Sequence, residues 1–392
     1  MQSKSAGSHL SSHTSAAPTE IPGIRLPADL RPSDGRFGSG PSKIRPEAVA
    51  ALAAATGYLG TSHRKPPVRS VVARIRAGMA ELFELPEGYE VVLGNGGAAL
   101  FWDVAAFSLI ERRSQHLVFG AFSSSFAAGV RGTPHLDEPD VVESPFGTHP
   151  EPRPRPGIDA YALTHNETST GVAMPVRRPV AADPEALVLV DATSAAGGMA
   201  VDPGEFDVYY FSPQKCFGAD GGLWIALCSP RALARVERLA AAGRVAPRSL
   251  SLGVAVSQAR SDQTWNTPAL ATLFLLVDQL EWLLARGGLR WAAARCQESA
   301  SILYTWAEAS SYATPFVADP TRRSPVVGTV DLDPGIDATT VNRVLRANGI
   351  VDTDPYRSLG RNQLRVAMFP SVEPSDVEVL TRAVDHVVAA LG

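Results

Sequence analysis

The chain contains only three cysteines in 392 residues. Cys216, Cys228 and Cys296 form neither a Cys-x-x-Cys motif nor a cluster with histidine, so the sequence predicts no disulfide framework and no zinc site. Unpaired cysteines are typical of the reducing cytoplasm, which is therefore the predicted compartment.

Long apolar runs and excess positive charge are also absent from the sequence. No run reaches the roughly 18 residues that a membrane span needs, and the net charge of -4 predicts no basic face for nucleic acid. Residues 1–26 are predicted to be a disordered tail, because the first residues are rich in Ser, Ala, His and Thr and lack the apolar core of a secretory signal. The remaining length is typical of two domains.

Lysine is much rarer than arginine in this chain. Lys4, Lys43, Lys65 and Lys215 are the only lysines among 36 cationic residues. Arginine stays protonated in proteins, whereas a partly buried lysine can lose its proton and attack a carbonyl group. Scarcity alone fits a chance surface lysine equally well, so the surroundings of Lys215 have to decide between the two interpretations.

Short apolar segments alternate with helical periodicity and glycine turns through most of the chain. This alternation predicts an α/β domain with a mostly parallel, covered sheet. After residue 290 the pattern changes and predicts a smaller α+β domain. The strands predicted for the first domain are residues 89–93, 116–119, 160–163, 187–190, 208–211 and 223–228.

A carboxylate and Lys215 are predicted to lie at one edge of this sheet. Asp191 directly follows one predicted strand, and Lys215 comes shortly after the next. Open α/β sheets bind ligands at the carboxyl ends of their strands. The pair suits pyridoxal phosphate, with Lys215 forming a Schiff base and Asp191 keeping the ring nitrogen protonated. The alternative is that Asp191 only caps the next helix through Thr193 or Ser194.

A glycine-rich turn at residues 94–99 joins a predicted strand to a helix. Its backbone N–H groups lie at a helix N-terminus, which favours the phosphate of such a cofactor. The turn lacks the Gly-Lys-Ser/Thr of a P-loop and does not match Gly-x-Gly-x-x-Gly, so a nucleotide site is disfavoured. Many glycine turns only permit tight packing.

Each of three further polar segments has two interpretations, one functional and one purely structural. Residues 166–171 either reach a ring substituent or form an ordinary Ser/Thr-rich turn. Residues 265–268 either bind a ligand or begin a long helix, with Pro268 in its first turn. Residues 61–64 place His63 and Arg64 in a loop, where solvated side chains are the default expectation.

Together, and in this order, these segments resemble the fold-type I, class V aminotransferases, and among them the phosphoserine aminotransferases. The resemblance covers the chain from about Pro27 to its end. It implies a pyridoxal-phosphate transferase with residues 46–290 as the large cofactor-binding domain and residues 27–45 plus 291–392 as the small domain. The motifs that carry it are residues 38–41, 62–64, 165–168, 191–194, 214–215, 266–267 and 364–367.

The resemblance implies a role for each residue that matches a motif. Lys215 would form the Schiff base and move the proton at the substrate α-carbon, and Asp191 would pair with the ring nitrogen. Thr168 would bond the ring hydroxyl, and Phe122 would stack on the ring. The residues implied to hold the cofactor phosphate are Ala98, Ala99 and Gln214, joined by Asn266 and Thr267 from the second subunit of a homodimer with shared active sites.

The resemblance also implies the substrates. Ser39 and Arg365 would hold the carboxylate of the amino acid, since an arginine fork suits that group. His63 and Arg64 would bind the substrate phosphate or the distal carboxylate of glutamate. The implied reaction transfers an amino group between L-glutamate and 3-phosphooxypyruvate, giving O-phospho-L-serine and 2-oxoglutarate. It belongs to serine biosynthesis, and some family members act also in vitamin B6 synthesis.

The chain departs from the family pattern in three places. Ala98 and Ala99 replace a Gly-Arg pair, so one phosphate-binding arginine is missing, and Phe122 replaces a stacking tryptophan. A His-Arg pair expected near the C-terminus is also absent. Arg357 or Arg361 is expected to supply the lost charge.

Three alternatives stay open. A serine– or alanine–glyoxylate aminotransferase would not need His63, Arg64 and the later arginines. A cysteine desulfurase needs a mobile catalytic cysteine, and none of the three cysteines is well placed for that role. A regulator with the same fold would bind the cofactor without transferring an amino group.

Overall fold

Seven strands form the central sheet of the protein, in a computed structural model that describes residues 23–392. Residues 1–22 of the predicted tail lie outside the described residues. Within 23–392 the strands are β1 Glu90–Asn95, β2 Ser114–Val118, β3 Asp140–Glu143, β4 Ala160–Thr164, β5 Asn166–Glu167, β6 Val172–Ala173, β7 Leu187–Asp191, β8 Val208–Phe211, β9 Leu223–Cys228, β10 Ala313–Pro315, β11 Val327–Leu332 and β12 Gln363–Ala367.

Helices surround the sheet and build the C-terminal region. None of the helices described is long and apolar enough to cross a membrane. They are α1 Pro46–Ala54, α2 Pro66–Leu82, α3 Ala98–Ser108, α4 Ala121–Val130, α5 Pro230–Ala241, α6 Leu252–Ala259, α7 Leu270–Leu284, α8 Gly288–Ala309, α9 Ala338–Ala347 and α10 Pro374–Leu391.

The strand order of the central sheet is β1-β9-β8-β7-β4-β2-β3. The neighbours from β8 through β3 are all parallel, and β9 alone runs antiparallel to both of its partners. The prediction of an α/β fold with a mostly parallel sheet is therefore confirmed. All the parallel strands end at the same edge of the sheet, so the residues that follow these strands lie close together.

Both faces of this sheet are covered by apolar side chains. In β7, Val188 and Val190 belong to one hydrophobic cluster, whereas Leu187 and Leu189 belong to a second one on the opposite face. Successive side chains of a strand point to opposite faces, so a strand covered on both sides reads as a continuous apolar run. This burial explains why β7 was recognisable as a strand from its sequence.

A second, three-stranded antiparallel sheet has the order β10-β11-β12. It shares a separate hydrophobic cluster with α8, α9 and α10, to which Leu26 and Phe37 also contribute. The early segment that contains these two residues therefore packs with the C-terminal elements and not with the central sheet.

Some local predictions were wrong. Residues 265–268 do not begin the long helix and Pro268 is not in its first turn, because α7 starts at Leu270 with Ala269 as its N-cap. The helix α4 and the strand β3 were not predicted, since the serine-rich sequence of α4 shows little apolar periodicity.

Candidate active site

A cavity of about 280 Å³ lies at the edge where β4, β7 and β8 end. The glycine-rich turn before α3 and the start of α4 close its sides. Residues that the sequence predicted to bind one cofactor therefore meet in one place. Those that line the cavity are Ala98, Ala99, Phe122, Thr168, Asp191, Gln214 and Lys215.

Lys215 is only 7% exposed and projects into this cavity. Its Nζ donates a hydrogen bond to the backbone oxygen of Ser39 at 2.6 Å and lies 3.4 Å from Oγ1 of Thr168. Nζ also lies 5.6 Å from the centre of the Phe122 ring. Burial, followed by the positive charge of Arg365, lowers the pKa of Lys215 to about 8. The amine can thus become a nucleophile close to neutral pH.

Asp191 is buried and has donors on both carboxylate oxygens. Oδ1 accepts from the backbone N–H and the hydroxyl of Thr193 at 3.0 and 2.6 Å, and Oδ2 accepts from Nε1 of Trp102 at 3.0 Å. Burial raises the pKa of Asp191, while these hydrogen bonds and the charge of Lys215 oppose that rise. The predicted contact with Thr193 exists, but it closes a turn and begins no helix.

The position of Phe122 is set by Glu167, a fully buried carboxylate. Glu167 accepts from the backbone N–H groups of Phe122 and Ser123 at 3.3 and 2.9 Å, and from the hydroxyls of Ser123 and Ser169 at 2.9 and 2.6 Å. These bonds satisfy the first N–H groups of α4 and favour its N-terminus electrostatically. Glu167 therefore anchors the aromatic ring that faces Lys215.

The N-terminus of α3 lines the cavity. Ala98 is the first residue of α3, and within the described chain no side chain caps this helix after Gly97. Gly96 has a φ of 110°, a conformation that glycine adopts most easily, and it turns the chain from β1 into the helix. The N–H groups of the first turn are thus available for an anion.

Arg365 and Ser39 lie next to Thr168 and Lys215, respectively. Nη1 of Arg365 donates to the backbone oxygen of Thr168 at 3.3 Å, and its guanidinium lies 5.3 Å from the centre of the Tyr356 ring. Among residues 23–392, neither Nε of Arg365 nor Oγ of Ser39 has a hydrogen-bond partner, although both atoms are buried. Both are suited to receive the carboxylate of a ligand.

His63 and Arg64 lie in a different place from Lys215. Nδ1 of His63 is 3.2 Å from Oγ1 of Thr267, and Arg64 donates to the backbone oxygen of Trp265 at 3.0 Å. The structure thus brings His63, Arg64, Asn266 and Thr267 together in one surface group. In the part of the chain that is described, this group does not line the cavity around Lys215.

The two arginines expected to supply the missing charge are differently placed. Arg361 forms an ion pair with Asp331 and lies 4.2 Å from the centre of the Phe316 ring, so its guanidinium is already engaged. Arg357 is exposed, immediately after Tyr356, whose ring contacts Phe122 at 5.5 Å between centres. Arg357 is therefore the better placed of the two.

Comparison with known proteins identifies the family. Residues 154–353 match the sequence profile of the class V aminotransferases, and this segment contains Thr168, Asp191 and Lys215. The chain belongs to the class V aminotransferase family.

Several known proteins resemble this chain over nearly its whole length. A phosphoserine aminotransferase of Rhodococcus jostii is 58% identical over 94% of this chain and 98% of its own length. A relative from Mycobacterium avium is 59% identical over 94% of this chain and 98% of its own length. The crystal structure of a phosphoserine aminotransferase from Cytophaga hutchinsonii matches with a TM-score of 0.83 at 25% identity, over 90% of this chain and 99% of that one.

Trp102 and Glu167 are two residues of the site that the sequence analysis did not select. Glu167 lies inside the motif at residues 165–168, so its position gave a usable signal. Trp102 lies in the apolar sequence of α3, where an aromatic residue indicates a buried helix face and nothing more.

Proposed function

We propose that this class V aminotransferase transfers the amino group between L-glutamate and 3-phosphooxypyruvate, with O-phospho-L-serine and 2-oxoglutarate as products. The observation that carries the proposal is a buried lysine of lowered pKa that shares a cavity at the carboxyl edge of the sheet with a buried aspartate, with a half-buried arginine beside them. The 58% identity to a phosphoserine aminotransferase over almost the full chain supports the choice of substrate.

The residues of the cavity fit pyridoxal phosphate. Oε1 of Gln214 and Oδ1 of Asn166 are buried without a partner among the described residues, although both line the cavity. Such atoms are costly unless a ligand or water satisfies them. The phosphate would bind at the start of α3 and at Gln214, the ring nitrogen at Asp191, and the ring hydroxyl at Thr168. The cofactor supplies an aldehyde for Lys215 and a ring that accepts electrons.

Lys215 is the proposed acid–base group of the reaction. Its Nζ would take a proton from the substrate α-carbon. It would then give this proton to the cofactor carbon atom that is bonded to the transferred nitrogen. Phe122 would cover one face of the ring and exclude water from it. Asp191 would hold the proton of the ring nitrogen, because an ionised carboxylate beside that nitrogen favours its charged form.

Arg365 and Ser39 are the proposed carboxylate site. Nε of Arg365, which has no hydrogen-bond partner among residues 23–392, and an Nη of the same guanidinium would donate as a fork to both oxygens of a carboxylate. Arg365 and Lys215 both contact Thr168, through its backbone oxygen and its hydroxyl, so the guanidinium lies near the amine. A substrate held there would have its α-carbon near Lys215.

The distal end of the substrate is assigned to His63, Arg64 and Arg357, in a homodimer with shared active sites. In this proposal Asn266 and Thr267 reach the cofactor phosphate of the second subunit. His63 and Arg64 contact the same segment of their own chain, so they would enter the second subunit's site with it. Burial, and then the charge of Arg64, lowers the pKa of His63, and a bound phosphate would reverse that effect.

The alternatives to this proposal within the family are enzymes that act on other substrates. A cysteine desulfurase is disfavoured, because burial raises the pKa of all three cysteines, which are at most 1% exposed. Free, buried thiols also suit a cytoplasmic location. The same site would accept the phosphorylated threonine analogue of vitamin B6 synthesis, which adds one carbon to the substrate.

The visible absorption spectrum tests this proposal. The purified protein is recorded before and after O-phospho-L-serine is added, with L-serine and L-alanine in parallel. We expect a yellow band that the phosphorylated amino acid alone bleaches. Equal bleaching by alanine or serine would keep the aminotransferase but reject the phosphorylated substrate, and a serine– or alanine–glyoxylate aminotransferase would then be preferred. A protein without a band after incubation with pyridoxal phosphate would refute the proposal.

A further inference from the structure

Trp102 makes a polar contact inside the cofactor cavity. It lies on α3, one helical turn after Ala98, and Nε1 of its indole donates to Oδ2 of Asp191 at 3.0 Å. We propose that Trp102 is a positioning residue, which fixes the plane of the Asp191 carboxylate and keeps it ionised for the ring nitrogen of the cofactor. This inference rests on the proposed use of pyridoxal phosphate.

The geometry of the carboxylate supports this role. A side-chain carboxylate that is bonded at one oxygen can still rotate, but Asp191 is held at Oδ1 by Thr193 and at Oδ2 by Trp102. An indole N–H can only donate, so it stabilises a charged oxygen and cannot accept a proton from it. The remaining lone pair of Oδ2 is left for a ligand in the cavity.

Trp102 is itself held in one orientation. Its ring stacks on Phe126, with 6.0 Å between centres and 19° between the planes. Phe126 lies four residues after Phe122 on α4, so both rings project from the same face of that helix. Trp102 thus links the helix that would hold the cofactor phosphate, the strand that carries Asp191 and the helix that presents Phe122.

Two tryptophan variants separate this role from simple packing. Trp102→Phe removes the N–H and keeps an aromatic ring. Trp224→Phe is the matched control, because Nε1 of Trp224 is buried without a partner in the described structure and Trp224 does not line the cavity. The readouts are the pH midpoint of the visible absorbance of the cofactor-loaded protein, the dissociation constant for pyridoxal phosphate, and kcat and KM.

Trp102→Phe should lower kcat roughly 10- to 100-fold with little change in KM, as expected for the loss of one hydrogen bond to a charged group. It should also raise the pH midpoint, because a less firmly protonated ring nitrogen places less positive charge near the nitrogen of Lys215. The control should leave the midpoint unchanged. In an Asp191→Asn background, Trp102→Phe should have no further effect on cofactor affinity, since the indole acts through Asp191.

An unchanged midpoint together with an unchanged kcat in Trp102→Phe would overturn the inference, as would equal losses in both tryptophan variants. If Trp102→Phe does not fold, 3-benzothienylalanine at position 102 replaces only the N–H by sulfur and keeps the ring volume, with the same expected shifts. A wild-type protein that never forms a visible band would instead reject the proposed function, so the two failures are distinguishable.

Discussion

The reaction of Lys215 with pyridoxal phosphate should depend on pH with a midpoint near 8. Only the neutral amine attacks the aldehyde, and the pKa of Lys215 is lowered from 10.5 to about 8, first by burial and then by Arg365. At pH 7 about one lysine in ten is then neutral, against roughly three in ten thousand for an unperturbed lysine. The site therefore makes the amine roughly 300-fold more available at that pH.

The measurement is the rate of appearance of the visible band after apoprotein is mixed with pyridoxal phosphate, between pH 6 and 11. Nα-acetyl-lysine amide, measured in parallel, corrects for the ionisations of the cofactor itself. Arg365→Leu should move the midpoint upward, because it removes a positive charge that disfavours the protonated amine. A corrected rate that still climbs tenfold per pH unit beyond pH 9.5 would refute the reasoning.

Further predictions concern single residues. Lys215→Ala should abolish turnover while far-UV circular dichroism stays unchanged, and near-normal activity would contradict the mechanism. Arg64→Ala should weaken O-phospho-L-serine about 10- to 150-fold and leave cofactor affinity nearly unchanged, whereas an equal loss for plain L-serine would contradict the assignment. Arg357→Ala should weaken the same substrate more than Arg361→Ala does, measured as KM, because Arg361 is paired with Asp331; the reverse order would show the assignment to be wrong. Glu167→Gln should lower the free energy of unfolding by about 2–4 kcal/mol in a urea titration, since it loses charge-assisted bonds at the start of α4, and an unchanged midpoint would argue against that role.

The sequence predicted the central sheet well because its strands are covered on both faces. β7, β8 and β9 read as uninterrupted apolar runs, and each was found within one residue of its predicted bounds. The short, polar strand β3 and the serine-rich helix α4 gave no such pattern. α4 exists because a distant carboxylate, Glu167, satisfies its first N–H groups, and such a contact cannot be read from local sequence.

In the candidate site, too, the sequence predicted some contacts between residues and gave no sign of others. Asp191 and Lys215 were predicted to meet because the ends of neighbouring parallel strands share an edge. The contact between His63 and Thr267, 204 residues apart, follows only from packing between loops, so periodicity gave no sign of it. The hydrogen bond between Trp102 and Asp191 was equally hidden, since an apolar helix face does not reveal which of its residues turns a polar atom inward.

The two-sided covering of β7 limits how this enzyme can diverge. Asp191 continues the set formed by Leu187 and Leu189, which faces the hydrophobic cluster that includes Phe101 of α3. Deleting or inserting one residue within the strand would exchange the two sets and turn the carboxylate toward the other face. Length changes can therefore accumulate in the loops between strands, whereas β7 itself tolerates changes of length only in steps of two residues. A functional variant of this enzyme must therefore keep both the alternation of side chains along β7 and the position of Asp191.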